Sequence, residues 1–261
     1  MELQVDHGKR AWYSTLNKVS TTSYFVMALP KQIRPEYNAT IPSSGKKIKY
    51  QPFTVREEKV LILAAESQEM DEISNAVANV LRNCISHPAD FKVESLAIFD
   101  IEYLFLKARA KSAGETIKVI VRDPNDEEYS VEHEIDIDKI RVVKTQGHTD
   151  LIELSDDVKI KMKYPGLDFF TEGVKIDNIG DSLETVSKCI SSIVVGEEVY
   201  NSADMTEEEV TEWLEGMTTE QFRKLMTFFE TMPAMKHEIK LKNPRTEKDF
   251  KITLQGLADF F

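Results

Sequence analysis

Residues 115–137 read ETIKVIVRDPNDEEYSVEHEIDI, and this stretch decides the fold class of the chain. Apolar residues alternate with polar ones on both sides of a short break, which is the two-residue period of β-strands. The break, residues 123–126, reads Asp-Pro-Asn-Asp, a composition typical of turns. The stretch therefore predicts a long β-hairpin.

A second hairpin of the same kind is predicted near the end of the sequence. Residues 238–254 again carry two runs of alternating polarity, and residues 243–246 between them read Asn-Pro-Arg-Thr. Strand pairs are also predicted earlier in the chain, at residues 37–50 and 151–164. Strands are therefore expected to be short, antiparallel and close in sequence.

Helix starts are marked by capping boxes, in which a Thr and a Glu or Gln three positions later each satisfy a free N–H group. The boxes are Thr54 with Glu57, Thr206 with Glu209, and Thr218 with Gln221. A further helix is expected to begin at an Asp100 cap. Another is predicted from apolar residues three or four positions apart: Leu183, Val186, Cys189, Ile190 and Ile193.

The same order of elements occurs twice: a strand pair, a helix holding a Cys-Ile pair, a capped helix and a proline-turned hairpin. The Cys-Ile pairs are residues 84–85 and 189–190. We predict an α+β fold of two units, residues 27–150 and 151–261, that arose by duplication of one unit. The spacing of about a hundred residues is far above that of solenoid repeats, which is why we interpret the repeat as an ancient doubling of one α+β unit. Chance agreement between common elements is the alternative.

The first 26 residues differ from the rest. They are rich in Ser and Thr and have no sustained apolar period. We expect residues 1–26 to be either a disordered extension or the product of a miscalled start upstream of Met27.

Composition excludes several classes of partner. The chain has 33 Lys and Arg against 45 Asp and Glu, a formal charge of −12, so it has no excess of cations for a nucleic acid backbone. No apolar run approaches the roughly 20 residues that a membrane helix needs. Cys84 and Cys189 are too far apart for a Cys-x-x-Cys metal pattern and are interpreted as free, buried thiols in a reducing compartment. We predict no nucleic acid and no membrane partner.

No catalytic or cofactor motif is recognisable. The five histidines are scattered, without a second ligand three or four residues away on a helix face. Residues 43–47, Ser-Ser-Gly-Lys-Lys, contain the Gly-Lys pair of a phosphate loop but lack its leading Gly. We predict no catalytic residue, metal, cofactor or small-molecule substrate. Acid/base catalysis by paired Asp and Glu stays open, because it depends on a cleft that separates their pKa values.

The most biased stretch is residues 197–215, which contains eight acidic residues and no Lys or Arg. One interpretation is a solvated helix face, in part favoured by the helix dipole. The other is a docking surface for a basic partner, with a tryptophan as aromatic anchor. The predicted partner-binding residues are Glu207, Glu208, Glu209, Glu212 and Trp213.

The sequence ends on two aromatic residues, Phe260 and Phe261, although chain termini are usually frayed and polar. Both side chains need burial. They are expected to pack either into the chain's own core or into a neighbouring subunit, and in the second case they are partner-binding residues.

Several ordered segments together carry a family resemblance. They are residues 27–30 (MALP), 41–50 (IPSSGKKIKY), 52–61 (PFTVREEKVL), 99–106 (FDIEYLFL), 109–112 (RAKS), 228–233 (FFETMP), 254–257 (LQGL) and 260–261 (FF). With these segments the chain resembles the baseplate hub proteins of T4-like contractile-tailed phages, particularly those of the marine and cyanophage branch.

The resemblance implies a non-enzymatic structural or assembly protein of the baseplate hub, whose partners are other hub proteins. It would be found in the host cytoplasm during assembly and in the baseplate of the virion tail. One alternative is a soluble assembly chaperone that is absent from the virion. Another is a tail-associated hydrolase that uses Asp or Glu pairs.

Some relatives resemble zinc-knuckle proteins at the two hairpin turns, where they carry Cys-x-x-Cys pairs. In this chain the corresponding turns are residues 123–126 and 243–246, which contain no cysteine. Thiolate-bound zinc is therefore excluded there, and we expect the turns to be held by Pro and Asn chemistry.

Overall fold

The computed structural model describes residues 32–167, 169 and 179–256. Residues 1–26 and the pair Phe260 and Phe261 lie outside the described residues. Helices and small antiparallel sheets mix along the described chain, which confirms the predicted α+β class.

The first half opens with a strand pair and ends with the long hairpin. Its elements are β1 (Tyr37–Thr40), β2 (Lys47–Tyr50), α1 (Val55–Ser67), α2 (Met70–Cys84), β3 (Ile85–His87), α3 (Ile98–Ala113), β4 (Thr116–Asp123), β5 (Asp126–Asp136) and β6 (Arg141–Val143). Strands β1, β2 and β3 form one antiparallel sheet in that order, and β4 pairs with β5.

The second half follows the same order, except that its described residues hold no equivalent of α1 and β6 and that it adds one strand and one helix. Its elements are β7 (Leu151–Glu153), β8 (Val158–Met162), α4 (Ile179–Cys189), β9 (Ile190–Val195), β10 (Glu198–Asn201), α5 (Glu207–Glu215), α6 (Thr219–Thr231), β11 (Ala234–Lys242) and β12 (Asp249–Gln255). One sheet has the strand order β10-β9-β8-β7, and another has the order β12-β11-β6. Strand β10 and helix α5 have no equivalent in the first half.

The two Cys-Ile pairs occupy the same structural position. Helix α2 ends at Cys84 and β3 follows at once, as β9 follows the end of α4 at Cys189. The residue after β2, Gln51, donates its N–H to the carbonyl oxygen of Cys84 at 2.8 Å. The residue after β8, Lys163, makes the same bond to Cys189 at 2.7 Å.

Strand register agrees as well. Tyr50 pairs with Ile85 in the first half, and Met162 pairs with Ile190 in the second. In both sheets the strand register shifts by an irregularity just before this pair, between Lys49 and Tyr50 and between Lys161 and Met162. These shared contacts support our proposal of two duplicated units with a boundary near residue 150.

The prediction of one helix carrying Ile190 and Ile193 is wrong. Both residues lie in strand β9, because α4 ends at Cys189. The sequence Ile-Ser-Ser-Ile-Val-Val of residues 190–195 is rich in β-branched side chains, which favour strands. A spacing of three and four residues over so short a run cannot distinguish the two structures.

The predicted cap at Asp100 is also wrong, since α3 begins at Ile98. Asp100 is instead fully buried and accepts hydrogen bonds from the N–H of Ser43 at 2.9 Å and from its hydroxyl at 2.5 Å. Burial raises the pKa of this carboxyl, although the bonds from Ser43 oppose the shift. Asp100 therefore ties the β1–β2 turn to the central helix α3.

Buried side chains gather in three clusters within the described residues. The first lies under the β1–β3 sheet and the second under the β7–β10 sheet. The third lies between the two hairpins and α3, and contains Leu106, Ala110, Val121, Ile135, Ile137, Ile140, Met235, Ile239 and Phe250. Because both halves contribute to this third core, residues 34–261 group as one unit.

The two proline turns lie against each other at the hairpin tips. The Asn243 side chain, 0% exposed, donates from Nδ2 to Asp123 Oδ2 at 2.8 Å and to Asp126 Oδ2 at 3.1 Å. One amide nitrogen carries two hydrogens, so it can satisfy both carboxylates. The bond from Asn243 lowers the pKa of Asp123, and the N–H of Asn125 acts in the same direction. We call Asp123, Asp126 and Asn243 the clasp.

Candidate functional site: an acidic helix face

Helix α5 is set in place by its first turn. The capping box forms as predicted: the N–H of Thr206 donates to Glu209 Oε2 at 2.8 Å, and the N–H of Glu209 donates to Thr206 Oγ1 at 3.2 Å. These bonds lower the pKa of Glu209. Glu209, one of the predicted partner-binding residues, therefore has a local structural role.

The inner face of α5 belongs to the second core. Val210 and Leu214 are buried there, and Trp213 is half-buried and packs against the same cluster. The indole of Trp213 is thus partly used in folding, and only its exposed part is left for a partner.

The outer face of α5 carries four exposed carboxylates around a shallow recess. They are Glu207, Glu208, Glu212 and Glu215, and we call them the acidic face. None of the four has a salt bridge within the part of the chain that the structure describes. Like charges three and four residues apart on a helix repel one another, so an approaching cation would lower the electrostatic energy of this face.

Strand β10 also carries exposed acidic residues. It lies at the edge of its sheet, and Glu197 and Glu198 stand at the start of the strand. The structure thus brings the predicted glutamates together on one exposed surface. It does not place Phe260 and Phe261, which are outside the described residues, so their role stays a prediction.

The cysteines and histidines provide no reactive centre within the described residues. No group of three or more His, Cys, Asp or Glu side chains is arranged to hold a metal ion there. Cys84 and Cys189 are both buried, and burial raises the pKa of the Cys84 thiol to about 12, which keeps it protonated at neutral pH.

His148 is the histidine with the most contacts, and its contacts are structural. Its Nδ1 lies 2.9 Å from Thr231 Oγ1, and its Nε2 lies 2.9 Å from the Tyr164 hydroxyl. The Thr231 hydroxyl donates to the Thr227 carbonyl at 2.6 Å, so it must accept from His148. The neutral tautomer with a proton on Nδ1 satisfies all three groups, and Nε2 then accepts from Tyr164.

Replacing His148 with glutamine is expected to flatten the pH dependence of stability between about pH 7.5 and about pH 5.5. Burial, helped by the charge of Lys144, lowers the pKa of His148 below its ordinary value of 6.5. The unfolded chain therefore binds this proton more readily, so the native protein loses stability as the pH falls through this range. Urea unfolding at the two pH values measures the effect. An unchanged slope in His148→Gln would contradict it.

Two features of the structure were not predicted from the sequence. One is the clasp, which joins turns 120 residues apart in the chain. The other is a group of three lysines beside β2, Lys46, Lys47 and Lys92, which form no salt bridge in the described part of the chain.

No helix in the described part of the chain is long and apolar enough to cross a membrane.

Comparison with known proteins returns one family. A family model described as T4 bacteriophage base plate protein matches residues 34–261. The chain matches no curated protein and no solved structure.

Proposed function

The chain belongs to the T4 bacteriophage base plate protein family, and from this premise we propose that it works in the baseplate hub by docking to neighbouring hub proteins through the acidic face of α5. Its family makes it a protein of the phage tail baseplate, with a structural role. The hub position, the docking residues and assembly in the host cytoplasm are the proposal.

The observation that carries the proposal is the acidic face itself. Glu207, Glu208, Glu212 and Glu215 are exposed and without salt bridges in the described chain, on a helix whose inner side is anchored by Val210 and Leu214. The helix backbone that carries the face is therefore held in place by the core before a partner arrives, which lowers the entropic cost of binding. A basic surface on the partner is the complementary chemistry.

The buried polar groups support docking over bond-breaking, because their contacts are structural. Asp100 is bonded to Ser43, and Lys107 forms an ion pair with Asp138 at 3.0 Å. Burial lowers the pKa of Lys107, and its bond to Asp138 opposes that shift. Asp100 itself is fully buried behind Ser43, so its carboxylate does not reach the open groove that Ser43 lines.

Reversing the charge of the acidic face is expected to abolish partner capture. In the variant Glu207→Lys, Glu208→Lys and Glu212→Lys, Glu209 is kept so that the capping box survives. Repulsion between like charges should then lower the yield of co-purified baseplate proteins from infected cells at least about tenfold. The variant should still fold, with a slightly lower thermal unfolding midpoint because Lys replaces Glu in the first turn of α5. Affinity purification with quantitative mass spectrometry measures the yield.

A matched variant separates this face from general charge effects. Glu58, Glu66 and Glu69 are exposed carboxylates of the first half without salt bridges in the described chain. Changing these three to Lys alters the net charge by the same amount and should leave capture intact. Equal yields from both variants would remove the acidic face as the docking site.

A further inference from the structure

Strand β2 is longer than the strand beside it. β3 pairs only with Lys49 and Tyr50 of β2, and then ends at His87 because Pro88 has no N–H to continue the ladder. Lys47, at the start of β2, therefore has no strand on that side within the described chain. The second half shows the contrast, because there the longer β9 covers the whole of β8.

The free edge at Lys47 exposes backbone groups that can bond. The N–H of Ile41 donates to the carbonyl of Lys46 at 2.9 Å, so Lys46 faces β1. Because successive residues of an antiparallel strand point their polar groups to opposite sides, the N–H and C=O of Lys47 point away from β1. In the second half, the corresponding residue Lys159 pairs with Val194.

The space left beside this edge is a half-open groove of about 680 Å³. Its apolar floor includes Ile48, Leu96 and the half-buried ring of Phe91. Its rim carries Lys46, Lys47 and Lys92 against one acidic residue, Asp90. None of the three lysines has a salt bridge in the part of the chain that the structure describes. We call this the lysine groove.

One strand of the second half carries groups complementary to this groove. Strand β10 is an edge strand whose side chains are all exposed, including Val199 at 57% and Tyr200 at 46%. Glu198 is the first residue of the strand, and Glu197 precedes it. The strand thus offers a free backbone edge, Val199 on one face and Tyr200 on the other, and two carboxylates, of which Glu198 accepts a hydrogen bond from the Tyr200 hydroxyl. These are the groups that the edge, the floor and the rim of the lysine groove can receive.

We propose that the lysine groove binds the β9–β10 hairpin of a second copy of this chain, which adds β10 as a strand beside Lys47. Strand addition of this kind gains main-chain hydrogen bonds together with side-chain pockets. The contact joins two different surfaces, so it is head-to-tail, and a pair of copies keeps one free groove on one copy and one free hairpin on the other. It involves the groove and β10, and it does not depend on the acidic face of α5.

Sedimentation velocity of the purified full chain tests this proposal. The wild type is expected to self-associate with rising concentration, and more strongly at low salt than at high salt. Two variants are compared with it: a groove variant with Lys46→Glu, Lys47→Glu and Lys92→Glu, and a hairpin variant with Glu197→Lys and Glu198→Lys. Each variant alone should associate at least about 30-fold more weakly than the wild type.

Mixing the two variants gives the decisive outcome. An acidic groove meets a basic hairpin in the mixture, and the unaltered groove of one variant meets the unaltered hairpin of the other. Association should therefore return to near the wild-type level. All altered side chains are exposed, so unchanged circular dichroism is expected for both variants.

Two results would overturn the proposal. The first is a wild type that stays monomeric at all concentrations and salts. If the groove variant then still failed in baseplate assembly, the groove would bind a different protein. The second is self-association that neither variant weakens, which would place the contact elsewhere on the surface.

Discussion

Replacing Asn243 with alanine is expected to lower the free energy of unfolding by about 3 kcal/mol, because two hydrogen bonds to charged acceptors are lost from a fully buried amide. Asp123, only 4% exposed, then faces Asp126 without a shared donor. The two hairpin tips should separate, which also weakens the third core. Urea unfolding followed by circular dichroism measures the loss.

The variant Asn243→Asp provides a test by pH. It has nearly the same shape but brings a third carboxylate to the clasp at neutral pH. As the pH falls, its carboxyl becomes protonated and can donate, whereas the wild-type clasp weakens once Asp123, whose pKa is lowered, takes up its proton. The stability difference between the two proteins should therefore narrow in acid.

The matched control is Asn38→Asp, the same chemical change at an exposed position of β1. Its effect on the free energy of unfolding should stay within about 0.5 kcal/mol. If Asn243→Asp were equally mild at neutral pH, the clasp would not be a stabilising contact.

Replacing Phe228 with alanine should have the largest effect on stability, about 4 kcal/mol. Its ring is 1% exposed, and its centroid lies 5.4 Å from that of Tyr164 and 5.2 Å from that of His148. Truncation leaves a cavity at the centre of the second core and frees the ring of His148. The free energy of unfolding in urea should fall by a large share of the 5–15 kcal/mol that domains possess.

Phe228→Leu is the paired control, because leucine refills most of the volume. A loss below about 1.5 kcal/mol is expected for it. A loss in Phe228→Ala as small as in Phe228→Leu would mean that the second core relaxes into the space and does not depend on this ring.

Turn and capping-box patterns in the sequence predicted local structure correctly, whereas apolar spacing at Ile190 and Ile193 and the expected cap at Asp100 did not. Both hairpins and all three capping boxes form where the residues predict them, since turns and caps depend on neighbours within four residues. Short strands such as β3 and β6 were missed because three residues carry too little periodicity. Their strand character comes from pairing with distant segments.

The two candidate binding surfaces also differ in whether the sequence predicts them. The acidic face was predicted because its glutamates are consecutive on one helix. The lysine groove was not, because it requires Lys46 and Lys92 to be neighbours in space and β3 to stop at His87. The only local signal was Pro88, which ends a strand. The partners of Asp100 and Asn243 lie 57 and 120 residues away, which no local pattern reveals.

Baseplate assembly in infected cells tests the central claim, that the protein acts in the baseplate through its surfaces, most directly. A phage lacking this protein is supplied with the wild type, with the acidic-face variant Glu207→Lys, Glu208→Lys and Glu212→Lys, or with the matched variant at Glu58, Glu66 and Glu69. Baseplates are then counted by electron microscopy. The wild type and the matched variant should restore complete baseplates, and the acidic-face variant should not. Complete baseplates from the folded acidic-face variant would contradict the account.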